Sequence, residues 1–397
     1  MQCNFDIIYD RRNTCSLKWD CSEKIFKDKD ILPMWIADMD FIAPQKVIEA
    51  IKKRNDHGIF GYMESMPEAY CNAIISWVQK RHQWKIKDEW LSCTPGVVSA
   101  LSTAIMAFTK PGDRVIIQSP VYPPFYTIIK NNDRQIVDNP LKFENGSYEM
   151  DFIDLEKKMK SSIKMMILCS PHNPVGKVWS REELTKLGEL CLANNVLLVS
   201  DEIHSDIVFQ NYKHTPVATI SDELAHNSII CIAASKTFGI AGLTTSSVII
   251  PDVKLRTKYE NKIQSMGLDN VNIFGIIASE AAYKYGDEWL EQLLVYLQEN
   301  LKLLQNYFEE NIPEIKVIKP EGTYLVWLDC RQLGLNPKEL WKFMIHKAKI
   351  GLNDGATFGT GGEGFLRINI ACPRATLVEG LKRIERAVKW DSHSVSL

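Results

Sequence analysis

Short apolar runs set between amphipathic stretches constrain this 397-residue chain more than any other feature. IKMMILC (163–169) and VLLVSDE (196–202) flank the helical pattern REELTKLGELCLANN (181–195), and SIICIAA (228–234) comes next. Upstream, TPGVVSALSTAIMAFT (94–109) reads as a turn into a helix, KPGD as a turn and RVIIQ (114–118) as a strand. Runs this short and this rich in β-branched residues are buried strands. Alternating with helices, they predict a largely parallel α/β sheet with helices on both faces. Ligands of such sheets bind outside the carboxyl ends of the strands. The residues directly after each run therefore matter most.

The flanks differ from this core. ILPMWIADMDF (31–41) is strand-like; Pro44 opens a helix with Val47, Ile48 and Ile51 on one face, ending near Gly58. After the turn FGYMES, Pro67 starts a second helix carrying Ile74, Ile75, Trp77 and Val78. From around residue 290 long helices lead to a strand pair, GTYLVWLD and GFLRINI. The length exceeds one usual core, so two domains are expected: a large one over 51–290, and a smaller α+β one from 1–50 with 291–397.

Charge and cysteine usage exclude several classes. With 47 basic and 49 acidic residues interspersed, a net charge of −2 offers no nucleic-acid footprint and no polybasic membrane patch. The ten cysteines form no CxxC pair, and Cys169 and Cys231 lie inside apolar runs. That pattern indicates reduced thiols, neither a disulfide framework nor a metal site. MQCNFDIIYDRRNT has no apolar signal core and no run approaches about 18 residues, so a cytoplasmic location is expected.

SIICIAA delivers Ser235 and Lys236. A lysine at the mouth of a buried strand either leaves for water or is a desolvated amine fit for a Schiff base. RVIIQ is followed by SPVYPPFY, where Tyr122 sits between prolines, as a rigid turn or as a plate for a flat cofactor. SPHNPVG presents Asn173, in an Asx-turn or as a donor. VLLVS ends in Asp201, which either caps a helix or keeps a heteroaromatic nitrogen protonated; His204 lies three residues on. The turn before Ala100 leaves the amides of Val97 and Val98 at a helix start, where phosphate binds readily. In GFLRINI, Phe365, Arg367 and Asn369 share a face, and Arg367 is a surface residue or a carboxylate clamp. GTGGEG leads into a strand, so it is no dinucleotide fingerprint, and no GxGxxG between a strand and a helix supports an oxidoreductase. Taken together, these groups are what amino-acid chemistry with pyridoxal 5′-phosphate requires.

The motifs SLKWD, LPMWIADMDF, FGY, SPVYPPFY, SPHNPVG, SDEIHSD, ASKTFGIAGL, LNDGATFG and RINIACPR occur in that order. In them the chain resembles the fold-type I pyridoxal-phosphate enzymes of aminotransferase class I/II, and within these the C–S β-lyase branch of cystathionine β-lyases and cystalysin. The resemblance implies a large domain with a mostly parallel seven-stranded sheet plus a smaller α+β domain. It makes Lys236 the Schiff-base lysine, Asp201 the partner of the pyridine nitrogen and Tyr122 the stacking ring on the substrate side. Asn173 and His204 then face the ring 3-oxygen, Val97, Val98 and Ser235 the phosphate, and Arg367 the substrate carboxylate. Tyr62 matches a tyrosine lent across a homodimer interface to the neighbour's phosphate. Two positions depart from aminotransferases: Thr244 stands where they carry a phosphate-binding arginine, and His204 where they carry tyrosine. The implied activity is β-elimination from S-substituted cysteines such as cystathionine, on a small amino-acid substrate. Aminotransfer on the same scaffold, or a cofactor-binding regulator with secondary lyase activity, are the alternatives.

Overall fold

The computed structural model describes residues 3–394. At its centre lie seven strands: β1 (Leu91–Thr94), β2 (Arg114–Ile117), β3 (Gln135–Asp138), β4 (Ile163–Cys169), β5 (Leu197–Asp201), β6 (Ser228–Ile232) and β7 (Ser246–Ile249). Their spatial order is β1-β7-β6-β5-β4-β2-β3. The run from β6 to β3 is parallel throughout, and β7 lies antiparallel between β6 and β1. The sheet is thus mostly parallel, as expected.

Helices on both faces explain why β4 to β6 read as unbroken apolar runs. Met165 and Ile167 point into one core, with Ala100, Leu101 and Ala104; Met166 and Leu168 point into the other, with Leu184, Leu187 and Cys191. The helices include α1 (Gln45–His57), α2 (Glu68–His82), α3 (Val97–Phe108), α4 (Arg181–Ala193), the short α5 (Ala234–Thr237), α6 (Asp287–Asn311) and α7 (Arg374–Ser394). Pro44 precedes α1 and Gly58 ends it at φ 74°; Pro67 precedes α2. A capping box between Ser180 and Glu183 opens α4.

A second sheet has the order β8-β9-β11-β10, from β8 (Lys316–Ile318), β9 (Leu325–Asp329), β10 (Asn353–Asp354) and β11 (Phe365–Asn369), all antiparallel. β11 is buried along its whole length, and Arg367 lies between Trp327 of β9 and Asn353 of β10. Among the described residues no helix is long and apolar enough to cross a membrane.

Two local expectations change. Of 31–41 only Leu32–Pro33 pairs as a strand, against Ile350–Gly351. Beyond it, side chains take the backbone carbonyls in place of a ladder: Arg367 at Trp35, Asn369 at Ile36 and Asp38, and Lys236 with Tyr324 at Ala37. The segment is an irregular strap that combines these side-chain bonds with isolated backbone ones, such as the Asn369 amide to the Met34 carbonyl and the Asp40 amide to the Ala371 carbonyl. β6 also stops at Ile232, and Ala234 already belongs to α5, so Lys236 sits on a single helical turn rather than at a strand's tip.

Candidate active site

A cavity of about 260 Å³ lies off the carboxyl ends of β4 and β5. Val97, Val98, Tyr122, Asn173, Asp201, His204, Ser235 and Lys236 all line it, together with Ala37, Thr244 and Thr245. A larger groove of about 630 Å³ is a surface feature in which Lys349 pairs with Asp28 and Arg383 with Glu379.

Lys236 is half-buried, and its Nζ donates to the Ala37 carbonyl at 2.7 Å. Burial lowers its pKa to about 8; Asp38 and Asp201 pull it up, and Arg367 pushes it down. A substantial neutral fraction at neutral to mildly basic pH makes this amine a nucleophile and a base, which an exposed lysine is not.

Asp201 is 4% exposed, and its Oδ1 accepts the Ile203 amide at 3.2 Å. Among the described residues it has no ion pair. Burial raises its pKa to about 7, with Glu202 adding to the rise, and the Ile203 amide and Lys236 opposing it. Such a carboxylate is costly until a cationic or N–H group meets it. His204, 3% exposed, packs edge-on against Tyr324 at 5.8 Å, and its Nδ1 is buried without a partner. Burial first, then Lys236 and Arg367, push its pKa down to about 3, so it is a neutral imidazole.

Arg367 is no surface residue: it is 4% exposed. Its Nη1 donates to Asn173 Oδ1 at 2.8 Å, and its Nη2 to Asn353 Oδ1 at 2.6 Å and the Trp35 carbonyl at 3.1 Å. All three acceptors are neutral, and Nε has none. Burial lowers its pKa to about 10, which still leaves it charged. A buried guanidinium held by neutral oxygens is a preformed receptor for a carboxylate. By engaging Arg367, Asn173 Oδ1 also fixes the amide so that its nitrogen is left for another acceptor.

At the other end α3 begins. Gly96 adopts φ 96°, a conformation side-chain-bearing residues rarely take, and turns the chain so that the amides of Val97 and Val98 open the helix at the cavity wall. Unpaired first-turn amides and the positive helix end suit an anion. Ser235, Thr244 and Thr245 bring hydroxyl-bearing side chains to the same cavity.

Tyr62 stands apart: it is 99% exposed and does not line this chain's cavity. Sequence reasoning misses Ala37, Tyr324 and Asn353, although each falls inside one of the strand-like runs or motifs. Ala37 is hidden by the strand-like look of 31–41, while Tyr324 and Asn353 act through a hydroxyl and an amide that no spacing marks out. No cluster that could hold a metal occurs among the described residues.

Comparison with known proteins adds four relationships. The profile of the family "Aminotransferase class I and II" matches residues 29–384. A Bacillus subtilis protein named cystathionine beta-lyase PatB is 48% identical over 386 residues, covering 97% of this chain and 100% of its own length. The solved structure of cystalysin from Treponema denticola, which contains pyridoxal 5′-phosphate, superposes with a TM-score of 0.95 at 40% identity over 98% of this chain and 99% of that one. The PLP-bound C-S lyase of Staphylococcus hominis gives 0.91 at 34%, covering 98% of both chains.

Proposed function

The chain belongs to the aminotransferase class I and II family, and from that membership we propose a pyridoxal-phosphate-dependent carbon–sulfur lyase that acts by β-elimination on S-substituted cysteines such as cystathionine. One observation carries the assignment: Lys236, Asp201 and Arg367 bring three buried or half-buried charges to one place with no ion pair among them. A bound group with an aldehyde, a ring nitrogen and a phosphate, joined by a substrate carboxylate, answers each in turn.

The residues fit that cofactor. Lys236 would hold its aldehyde carbon, Asp201 its ring nitrogen, Asn173 and His204 its 3-oxygen, Tyr122 its face, and Val97, Val98 and Ser235 its phosphate. When bound, pyridoxal 5′-phosphate supplies the electron sink that makes a substrate α-carbon acidic. Arg367 takes the substrate carboxylate in its fork and sets the α-carbon relative to Lys236. Once the substrate amine has replaced it at that carbon, Lys236 Nζ would be a free amine, neutral often enough because its pKa is depressed, and would accept the α-proton. Asp201 would stay ionised against a protonated ring nitrogen, since a positive charge there would replace the solvent this carboxylate has lost. The thiolate leaves from the β-carbon, and water divides the remainder into pyruvate and ammonia.

The chain is further proposed to be a cytoplasmic homodimer with a large domain over 51–290 and a small one from 1–50 and 291–397. Free cysteines throughout suit a reducing compartment. The separate seven- and four-stranded sheets support two domains, with the first crossing inside α1. Exposed apolar residues around Tyr62, namely Ile59 and Phe60, suit coverage by a second copy.

The test is cystathionine turnover by purified holoenzyme with no 2-oxo acid added. Pyruvate release that Lys236→Ala abolishes supports the lyase; strict dependence on a 2-oxo acid would replace it with aminotransfer.

A further inference from the structure

A second buried polar group begins one residue beyond Lys236, at Thr237. Asp206 is 6% exposed, and its carboxylate gathers donors from three directions. Trp77 Nε1 reaches Oδ1 and Oδ2 at 3.1 and 3.2 Å, His82 Nε2 lies 3.0 Å from Oδ1, and Thr237 Oγ1 donates to Oδ2 at 2.8 Å. Trp77 and His82 belong to α2; Thr237 is the residue after Lys236 and the last of α5. These bonds, with His82 and Arg81 nearby, hold the carboxyl below its usual range against the opposing effect of burial.

A four-residue helix cannot hold itself, because nucleation costs more than one turn returns. No side chain caps α5. Among the described residues, Thr237 Oγ1 to Asp206 is its one side-chain hydrogen bond outward besides that of Lys236. Besides the Ala37 carbonyl that the amine itself meets, the Asp206 grip on Thr237 is the side-chain tie that holds this turn. Besides burial, the charges that chiefly shift Lys236 are Asp38, Arg367 and Asp201, and Asp206 is not among them.

We propose that Asp206 is a positioning residue for Lys236: through Thr237 Oγ1 it ties α5 to α2 and so fixes where the lysine amine points. The inference rests on Lys236 being the amine of the proposed lyase. Asp206 is faced by His82 and Arg81 from α2, while His214, Lys213 and Lys80 complete the rear cavity of about 250 Å³ beside it.

The experiment compares wild-type holoenzyme with Thr237→Val, Thr237→Ser and Asp206→Asn, reading the pH titration of the bound cofactor's visible band, kcat, KM and melting temperature. Thr237→Val keeps shape but loses the donor. Its spectral midpoint is expected to move by about one unit. Its kcat should fall about tenfold or more while KM stays within about twofold, the signature of a misplaced base rather than weakened binding. Thr237→Ser, which still donates, should restore both values, and Asp206→Asn should repeat the defect; if Asp206→Asn fails to fold, the threonine pair decides alone. A Thr237→Val enzyme that titrates and turns over like wild type, or a Thr237→Ser enzyme as impaired as Thr237→Val, overturns the proposal. A wild-type protein with no visible band that Lys236→Ala removes overturns the lyase reading itself and takes this inference with it.

Discussion

Two groups of buried charges touch the same strap, residues 34–41, and they are built in opposite ways. In the N-terminal clamp every charge has its counter-charge: Lys18, 1% exposed, meets Asp40 at 2.6 Å. Arg11 bridges Asp40 at 2.8 Å and Asp38 at 2.6 Å, and Trp19 Nε1 adds a donor to Asp40 at 2.9 Å. At the candidate site Lys236 and Asp201, which line the cavity, and the buried Arg367 beside Asn173 form no ion pair with one another, and burial drives each of them toward its neutral form. Closed networks hold a fold in one arrangement, whereas open ones store unmet electrostatic demand that only an outside group can satisfy. The strap joins the two: its carbonyls receive Lys18 at Asp38, and Lys236 at Ala37.

The contrast breaks most visibly at the two lysines. Lys236→Ala should abolish turnover, a loss of about 10⁴-fold or more, if Lys236 is the group that moves the proton, as proposed. Its apoprotein should melt no lower than wild type, since an amine disfavoured by burial is gone; calorimetry of both apoproteins checks this. Lys18→Met should do the reverse, costing about 3–5 kcal/mol by leaving part of a buried carboxylate uncompensated. Cofactor should still bind to whatever fraction stays folded. Denaturant titration that finds Lys18→Met as stable as wild type would erase the distinction between the groups.

A smaller and pH-dependent effect sharpens it. Asp201 has a folded pKa of about 7 against an ordinary 3.8. Between those values the folded apoprotein holds a proton that the unfolded chain has released, so stability falls as pH rises through the window. The penalty is complete above about pH 7 and absent below about pH 4. Asp201→Asn has no such penalty, so its apoprotein should gain on wild type by about 2–3 kcal/mol more at pH 8 than at pH 5. With cofactor bound the order should reverse, because wild type then has its ring-nitrogen partner and the asparagine variant does not. Urea unfolding at the two pH values, with and without cofactor, measures both.

The two groups are not equally legible in the sequence. β4, β5 and β6 announce themselves as apolar runs, and Asn173, Asp201 and Lys236 lie at or just past their ends, so the three can be placed together from the chain alone. β1, β3 and β7 give no such sign: four residues each, with Ser92, Thr94 and Ser246 inside, they owe their pairing to neighbours rather than to their own pattern. The clamp shows in the sequence only as the motifs SLKWD and ADMDF, because a lysine and an aspartate 22 positions apart carry no local sign that they will meet. Arg367 is ambiguous for the same reason: alternation gives a strand's two faces, but β11 is buried on both. Local pattern reports what a segment does alone, and long-range closure decides which charges are left open.

The smallest effect concerns the end proposed for the phosphate, which is open in a further sense. Among the residues lining the cavity, Lys236 is the sole lysine or arginine, and position 244, eight after the lysine, is threonine. The helix end supplies about half a charge. A phosphate there would still seek donors, and within this chain Tyr62 is fully outward. If a second copy lends it, Tyr62→Phe should weaken cofactor retention by about tenfold, the worth of one hydrogen bond to a charged group, with little change in melting temperature of the apoprotein. Mixing decides between lending and a local effect. In a hybrid of Tyr62→Phe and Lys236→Ala subunits, the site that keeps Lys236 receives its tyrosine from the other chain, so that half of the sites should regain wild-type retention. A tyrosine acting within its own chain leaves every Lys236-bearing site defective, and the hybrid shows no recovery.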